Sequence, residues 1–112
     1  MSNQATSFMH MNINELHERL NEDNLCVVDI RDANSFNNGR IPASHHLTNE
    51  NLVDFIRDAD LDAPLIVCCY HGNASQQAAA YMHSQDFTEV YSLDGGFEQW
   101  RVAYPELVES GA

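Results

Sequence analysis

The sequence predicts an α/β domain in which a central parallel sheet is flanked by helices on both faces. Short, β-branched apolar runs alternate along the chain with segments whose apolar residues recur at helical spacing. The apolar runs are mostly continuous, which is typical of strands buried on both faces. Parallel strands need crossover connections, and the intervening helical segments can supply them. We therefore expect strands and helices to alternate through the chain.

The first helix and the first strand have clear signals. Asn12 is followed three residues later by Glu15, which is the pattern of a capping box at a helix N-terminus. Ile13, Leu16 and Leu20 then recur at helical spacing. Residues 26–30, CVVDI, form a short apolar run that predicts a buried strand.

The middle of the chain is more polar. Residues 31–44 contain glycine and proline, which interrupt regular structure, and we predict only one turn of helix there, near Ser35. The apolar residues between 52 and 56 predict a second helix, for which Thr48 or Asn49 would serve as the N-cap.

The second half repeats the alternation with stronger signals. Residues 64–69, PLIVCC, predict the next buried strand, and residues 76–85 predict the next helix. Residues 89–93, EVYSL, predict a further strand. The closing helix is expected at 97–104, because Pro105 cannot continue it.

Length and charge restrict the function. At 112 residues, the chain 1–112 is predicted to form a single domain. Seventeen acidic residues oppose five basic ones, giving a formal charge of -12, which repels nucleic acid and anionic membrane surfaces. We expect no nucleic-acid partner and no membrane span, and we attribute the acidity to a solvated surface.

The cysteines indicate a reducing compartment. There are three of them, an odd number without the spaced pairs of small secreted domains. The chain also shows no basic-then-apolar leader at its N-terminus. We therefore expect three free thiols and a cytoplasmic location.

Adjacent Cys68 and Cys69 are distinguished by their place in the predicted strand. Cys68 lies in the strand interior, where apolar surroundings raise a thiol's pKa. Cys69 stands at the strand exit, just ahead of a helix expected to begin near Ser75, in a loop where we expect its thiol to be exposed. Unpaired N–H groups and the helix dipole favour a thiolate there. From position alone, a packing role for Cys69 stays open.

Three motifs in order resemble those of the rhodanese family of sulfurtransferases. CYHGNAS at 69–75 is similar to the family's active-site loop. VVDIRDANSFNNGRIPASHHLT at 27–48 resembles its Asp-x-Arg strand and Gly-x-Ile-Pro segment, and VYSLDGGFEQW at 90–100 its closing motif. The resemblance covers nearly the whole chain and extends to the single-domain thiosulfate sulfurtransferases of bacterial glycerol-3-phosphate regulons.

The resemblance implies a rhodanese-like fold and a two-step transfer without a cofactor. Cys69 would take the sulfane sulfur of thiosulfate as a persulfide and pass it to cyanide or to a thiol acceptor, for which the resemblance suggests thioredoxin. The loop would bind the substrate through backbone N–H groups. Its residues are Tyr70, His71, Gly72, Asn73, Ala74 and Ser75.

Other motif residues are expected to be structural. Asp29 and Arg31 would form an ion pair, and Trp100 would pack in the core. We expect Gly95 and Gly96 to serve turn geometry. His45 and His46 lack a partner at a metal-ligand spacing, so no metal is assigned. The chain departs from the family pattern at Arg40, where histidine is usual, and at Ala43, where glycine is common.

Two alternative functions remain at this point. A phosphatase or arsenate reductase needs Cys-x5-Arg to clamp phosphoryl oxygens, and Ser75 occupies the arginine position. A sulfur-carrying or regulatory binding module without turnover is the other alternative. Members of this kind commonly lack the cysteine, whereas Cys69 is present here.

Overall fold

The computed structural model describes residues 8–111, whose strands form one five-stranded parallel sheet. The prediction of one domain over 1–112 also includes residues 1–7 and 112, which lie outside the described residues. The strands in chain order are β1 Met9–Met11, β2 Cys26–Asp29, β3 His45–His46, β4 Leu65–Cys68 and β5 Val90–Leu93. Their order across the sheet is β1-β5-β4-β2-β3, which makes β4 the middle strand.

Helices cover both faces of the sheet, as predicted. They are α1 Ile13–Arg19, α2 Ala33–Asn38, α3 Leu52–Asp58, α4 Ala74–Ser84 and α5 Gly96–Ala103. One buried cluster contains side chains of α1 and α5. A second contains side chains of α4, and half-buried side chains of α3 pack against it. The predicted fold class, a parallel sheet between two helical layers, is confirmed.

The predicted structural roles of several side chains are confirmed. The Asn12 side chain accepts from the Glu15 N–H at 2.8 Å and the Glu15 carboxylate accepts from the Asn12 N–H at 2.9 Å, so the capping box of α1 is present. Trp100 is fully buried in the α1–α5 cluster. Asp29 and Arg31 form a buried ion pair at 2.7 Å.

Three elements differ from the sequence prediction. The short strands β1 and β3 were not predicted, and α2 is a six-residue helix rather than one turn. The predicted N-cap of α3 is also wrong, because Asn51 rather than Thr48 or Asn49 precedes the helix. Thr48 and Asn51 instead bond to each other, with each side chain accepting from the other's backbone N–H.

The two departures from the family pattern have local explanations. Ala43 adopts φ +64°, a left-handed conformation that glycine adopts without steric cost, which explains why glycine is common at this position. The Arg40 guanidinium donates to the carbonyls of Phe36 and Gly111, at 3.2 and 2.8 Å. Its backbone pairs with that of Glu109. Arg40 therefore ties the C-terminal segment to the end of α2.

No helix within residues 8–111 is both long and apolar enough to cross a membrane. The three cysteines, which all lie in that range, are unpaired thiols.

Candidate active site

The candidate site lies at the carboxyl end of the middle strand. β4 ends at Cys68, and Cys69 is the first residue beyond it. In parallel α/β sheets, loops and helix N-termini converge at this edge and form ligand sites. Helix α4 begins at Ala74, two residues earlier than predicted, so the loop between strand and helix is only five residues long.

The short loop directs backbone N–H groups at the Cys69 sulfur. Its Sγ atom accepts from the N–H groups of Gly72 and Ser75, each at 3.2 Å. The Ser75 N–H belongs to the first turn of α4, where N–H groups have no partner within the helix. The loop and the helix together therefore form a site that favours negative charge on sulfur.

The two neighbouring thiols have opposite electrostatic surroundings. Burial raises the pKa of Cys69, but hydrogen bonds from the Ser75 side chain and from the backbone of Ser75, Gly72 and His71 outweigh it, and the net pKa is lowered. Burial raises the pKa of Cys68 well above its ordinary value, and the Asp29 carboxylate adds to that rise. Cys69 is therefore the thiol that ionises more readily, as its predicted position indicates.

The expected exposure of the Cys69 thiol is wrong. Only 4% of the residue is accessible. The start of α5 packs against the loop, where the N–H groups of Phe97 and Glu98 donate to the carbonyls of Cys69 and Tyr70 at 2.9 and 3.0 Å. These bonds hold the loop carbonyls on the α5 side.

Glycine allows this close approach of α5. Gly95 and Gly96 have φ of +79° and +61°, as their predicted turn role requires. A Cβ atom on Gly96 would lie 2.5 Å from the carbonyl carbon of Tyr70 and 2.6 Å from the carbonyl oxygen of Cys69. Gly72, at φ +92°, lies against the backbone of Leu93 in the same way, with a built Cβ 3.0 Å from its oxygen. The backbone of the closing motif at 90–100 therefore packs directly against the backbone of the loop, with no side chain between them.

The other loop residues differ in their exposure to solvent. His71, Asn73 and Ala74 are exposed, whereas Ser75 is fully buried. Tyr70 is 40% exposed.

The Tyr70 hydroxyl is held outside the loop, at the N-terminus of α2. It bonds to the carboxylate of Asp32, the N-cap of α2, and to the Ser35 hydroxyl at 2.5 Å. The hydrogen bonds from Tyr70 and Ser35 lower the pKa of Asp32 to about 2. The carboxylate is therefore ionised at neutral pH, and its bond to the Tyr70 hydroxyl holds the ring against the N-terminus of α2. Asp32 and Ser35 lie within the motif at 27–48, but the sequence analysis assigns them no role at the site, and only the cap preference of aspartate before a helix points to such a role.

A groove of about 950 Å³ begins beside the loop. It runs between α2, the segment after β3 and one face of α4, and it includes Asp32, Glu50, Ala74 and Tyr81 in its lining. Its volume is that of a small-molecule site.

The phosphatase or arsenate reductase alternative requires an arginine that binds the phosphoryl oxygens, and the site formed within residues 8–111 does not provide one. The residue six positions after Cys69 is Ser75, whose hydroxyl is buried against that of Ser92 at 2.7 Å. Arg31, the nearest arginine in the motifs, donates to Asp29 and to the Gly39 carbonyl. Neither group offers the bidentate contact to oxygen that phosphoryl transfer by Cys-x5-Arg requires.

Comparison with known proteins agrees with the fold. A family model described as the rhodanese-like domain matches residues 12–103. The protein named thiosulfate sulfurtransferase GlpE from Pseudomonas fluorescens (strain SBW25) is 57% identical over 94 residues, which are 84% of this chain and 86% of that protein. The protein of the same name from Stutzerimonas stutzeri (strain A1501) is 65% identical over 83 residues, 74% of this chain and 76% of that protein.

Solved structures show the same architecture. The crystal structure of the Alr3790 protein from Anabaena sp. aligns with a TM-score of 0.80 over 90% of this chain and 80% of that chain, at 25% identity. A rhodanese-like domain protein from Staphylococcus aureus aligns with a TM-score of 0.77 over 94% of this chain and all of that chain, at 19% identity. The chain belongs to the rhodanese family.

Proposed function

We propose that this protein is a thiosulfate sulfurtransferase in which Cys69 is the nucleophile. The observation that carries the proposal is the pair of N–H groups, from Gly72 and Ser75, that donate to the Cys69 sulfur at 3.2 Å. They stabilise the thiolate before reaction and an anionic sulfur after it. The names of the relatives from Pseudomonas fluorescens and Stutzerimonas stutzeri support thiosulfate as the donor.

The reaction proceeds in two displacement steps. The Cys69 thiolate forms a bond to the sulfane sulfur of thiosulfate while the S–S bond of thiosulfate breaks, and sulfite leaves with the electron pair. The enzyme then holds a persulfide. In the second step cyanide bonds to the outer sulfur, the Cys69 S–S bond breaks, and its electron pair returns to Sγ as the thiolate. Thiocyanate is the product, and no external oxidant or reductant is consumed.

The loop supports both steps through its backbone. Gly72 and Ser75 supply the N–H donors, while Tyr70, His71, Asn73 and Ala74 shape the substrate entrance. The α5 N–H groups that hold the carbonyls of Cys69 and Tyr70 preserve this orientation throughout the cycle. Preorganised donors of this type need no rearrangement as charge moves between sulfur atoms.

Intact-mass analysis after thiosulfate treatment tests the proposal. We expect the protein to gain the mass of one sulfur atom and to lose it on addition of cyanide, with thiocyanate formed in equal amount. A binding module without turnover would show no such mass gain. Stoichiometric loading without repeated turnover would indicate a sulfur carrier instead of an enzyme.

In the cell, we propose a thiol acceptor and a cytoplasmic location. The unpaired state of Cys26, Cys68 and Cys69 is suited to a reducing compartment. A small thiol protein such as thioredoxin is the acceptor we propose, on the family resemblance. Reduction of the isolated persulfide by thioredoxin, measured by intact mass, tests this choice.

Added salt should increase kcat/KM for thiosulfate. The substrate is a dianion, the chain carries a formal charge of -12, and Asp32 and Glu98 lie close to the loop. The guanidinium groups of Arg31 and Arg40 are bound to protein oxygens. Screening shortens the Debye length from about 30 Å at 0.01 M to roughly 10 Å at 0.1 M, which weakens the repulsion.

Initial rates measured against ionic strength with a weakly coordinating salt check this expectation. A neutral donor provides the control, because its kcat/KM should not depend on salt. A steady fall of kcat/KM for thiosulfate would mean that a local positive field dominates the entrance.

A further inference from the structure

The Ser75 hydroxyl has a buried partner outside the loop. Its Oγ atom lies 2.7 Å from the Oγ atom of Ser92, and both residues are completely inaccessible. Ser92 belongs to β5, the element that follows α4 in the chain, and lies outside the loop motif. The other three residues of β5 are Val90, Tyr91 and Leu93, so the Ser92 hydroxyl and the Tyr91 hydroxyl are the polar side-chain groups of the strand.

Strand β5 fixes the direction of the Ser92 side chain. The strand is paired on both sides, with Ser92 opposite His10 of β1 and Val67 of β4. Side chains alternate along a strand, so Ser92 lies on the same face as Val90, which packs in the cluster shared with α4. A side chain on a doubly paired strand is a rigid support for the first turn of α4.

The count of hydroxyl protons favours one direction for this hydrogen bond, in which either oxygen can be the donor. Within residues 8–111, the Ser75 Oγ atom is the one hydrogen-bond partner of the Ser92 hydroxyl. If Ser75 donated to Ser92, the Ser92 proton would be buried without an acceptor, which is costly. If Ser92 donates to Ser75, the Ser75 proton is free to bond to the adjacent Cys69 sulfur, to which the Ser75 backbone N–H already donates at 3.2 Å.

We propose that Ser92 is a positioning residue, whose hydroxyl donates to Ser75 and thereby directs the Ser75 O–H at the sulfur of Cys69. The inference rests on the proposed role of Cys69 as nucleophile. Donors in series polarise one another, so donation from Ser92 makes the Ser75 hydroxyl a stronger donor to an anionic sulfur. The Ser75 hydroxyl bond is also one of the contributions that lower the Cys69 pKa.

The test measures ionisation of Cys69 without requiring sulfur transfer. Iodoacetamide alkylation is followed against pH, and peptide mass spectrometry assigns the modification to Cys69 rather than to half-buried Cys26. We expect Ser75→Ala to move the alkylation midpoint upward by about one pH unit and Ser92→Ala by about 0.5 unit. Ser92→Thr keeps the hydroxyl and should restore most of the shift.

The double variant separates a relay from independent effects. If Ser92 acts through Ser75, then Ser75→Ala/Ser92→Ala should have the same midpoint as Ser75→Ala alone. Ser44→Ala is the matched control, because Ser44 donates to the Ile41 carbonyl and should leave the midpoint unchanged. The surrounding titratable side chains are unaltered in all variants: Asp29, Arg31, Cys68, Tyr70, His71 and Glu98.

Two outcomes would overturn the inference. One is an unchanged alkylation midpoint in folded Ser92→Ala. Any loss of thermal stability in that variant would then show that Ser92 has only a packing role. The other is a further shift from Ser92→Ala in the Ser75→Ala background. Because alkylation is independent of thiosulfate, either result leaves the proposed sulfurtransferase activity to be decided by intact mass.

Discussion

Replacing Cys69 with serine should abolish sulfur loading and keep the fold. A serine oxygen fits in the place of the sulfur. It can accept the hydrogen bonds that the N–H groups of Gly72 and Ser75 now donate to Sγ. At neutral pH its hydroxyl does not ionise, so no mass gain should follow thiosulfate treatment. Thiocyanate formation should fall by at least about a thousandfold.

Cys69→Ala is the more damaging change because Cys69 is buried. Alanine would leave two N–H groups without their acceptor, at a cost of about 1–3 kcal/mol for each group that remains shielded from water. Chemical denaturation of the serine and alanine variants should therefore differ, although both are inactive.

Cys68→Ala is the control for the identity of the nucleophile. Cys68 is a fully buried member of the α1–α5 cluster, so truncating its side chain should lower the free energy of unfolding by about 1 kcal/mol or more. Sulfur loading should persist below the melting temperature. Loading that survives in Cys69→Ser and disappears in folded Cys68→Ala would reverse the assignment.

The second large effect is expected at Gly96. Alanine there would combine a φ of +61° with a Cβ 2.5 Å from the Tyr70 carbonyl carbon. The contact is with backbone, so α5 or the loop must move. We expect a loss of about 3 kcal/mol or more in stability, together with a higher midpoint pH for Cys69 alkylation, because the N–H groups of Phe97 and Glu98 would separate from the loop carbonyls and the loop would no longer hold its donors at the sulfur.

Gly95→Ala is a matched control for Gly96→Ala. Its φ of +79° imposes a similar backbone cost of about 1 kcal/mol. Its Cβ, however, would meet the flexible side chain of Gln99, which can move aside. Denaturant titrations should show a much lower stability for Gly96→Ala than for Gly95→Ala, and the midpoint pH of Cys69 alkylation should rise more in Gly96→Ala. Equal effects of the two substitutions would show that backbone strain, rather than contact with the loop, is the dominant cost.

The sequence predicted elements that have their own local signal. The run at 64–69 and the capping box at Asn12 depend on neighbouring residues, and both are found where expected. β1 and β3 have three and two residues, too few to show a period, and they exist only because a neighbouring strand offers hydrogen bonds. Helix α2 reads as polar because none of its residues is buried.

Those parts of the site that have a local sequence signal were likewise predictable. The position of Cys69 at a strand exit before a helix is a local feature. Its burial depends on the absence of a side chain at Gly96, a residue distant in sequence whose contact with the loop no local pattern indicates. Ser92 was missed because a single serine in a strand carries no signal until the fold places it against Ser75.

The small accessible area of Cys69 determines how far each reactant must reach. Thiosulfate meets a recessed atom, so the narrow sulfane end must enter first. Once the sulfur is bound, the reactive atom lies one S–S bond, about 2 Å, beyond Sγ. The acceptor therefore attacks at a shallower depth than the donor. The same recess can thus admit a slim donor in the first half of the proposed cycle and, in the second, a larger acceptor of the kind proposed above, whose reactive atom needs to reach less deeply.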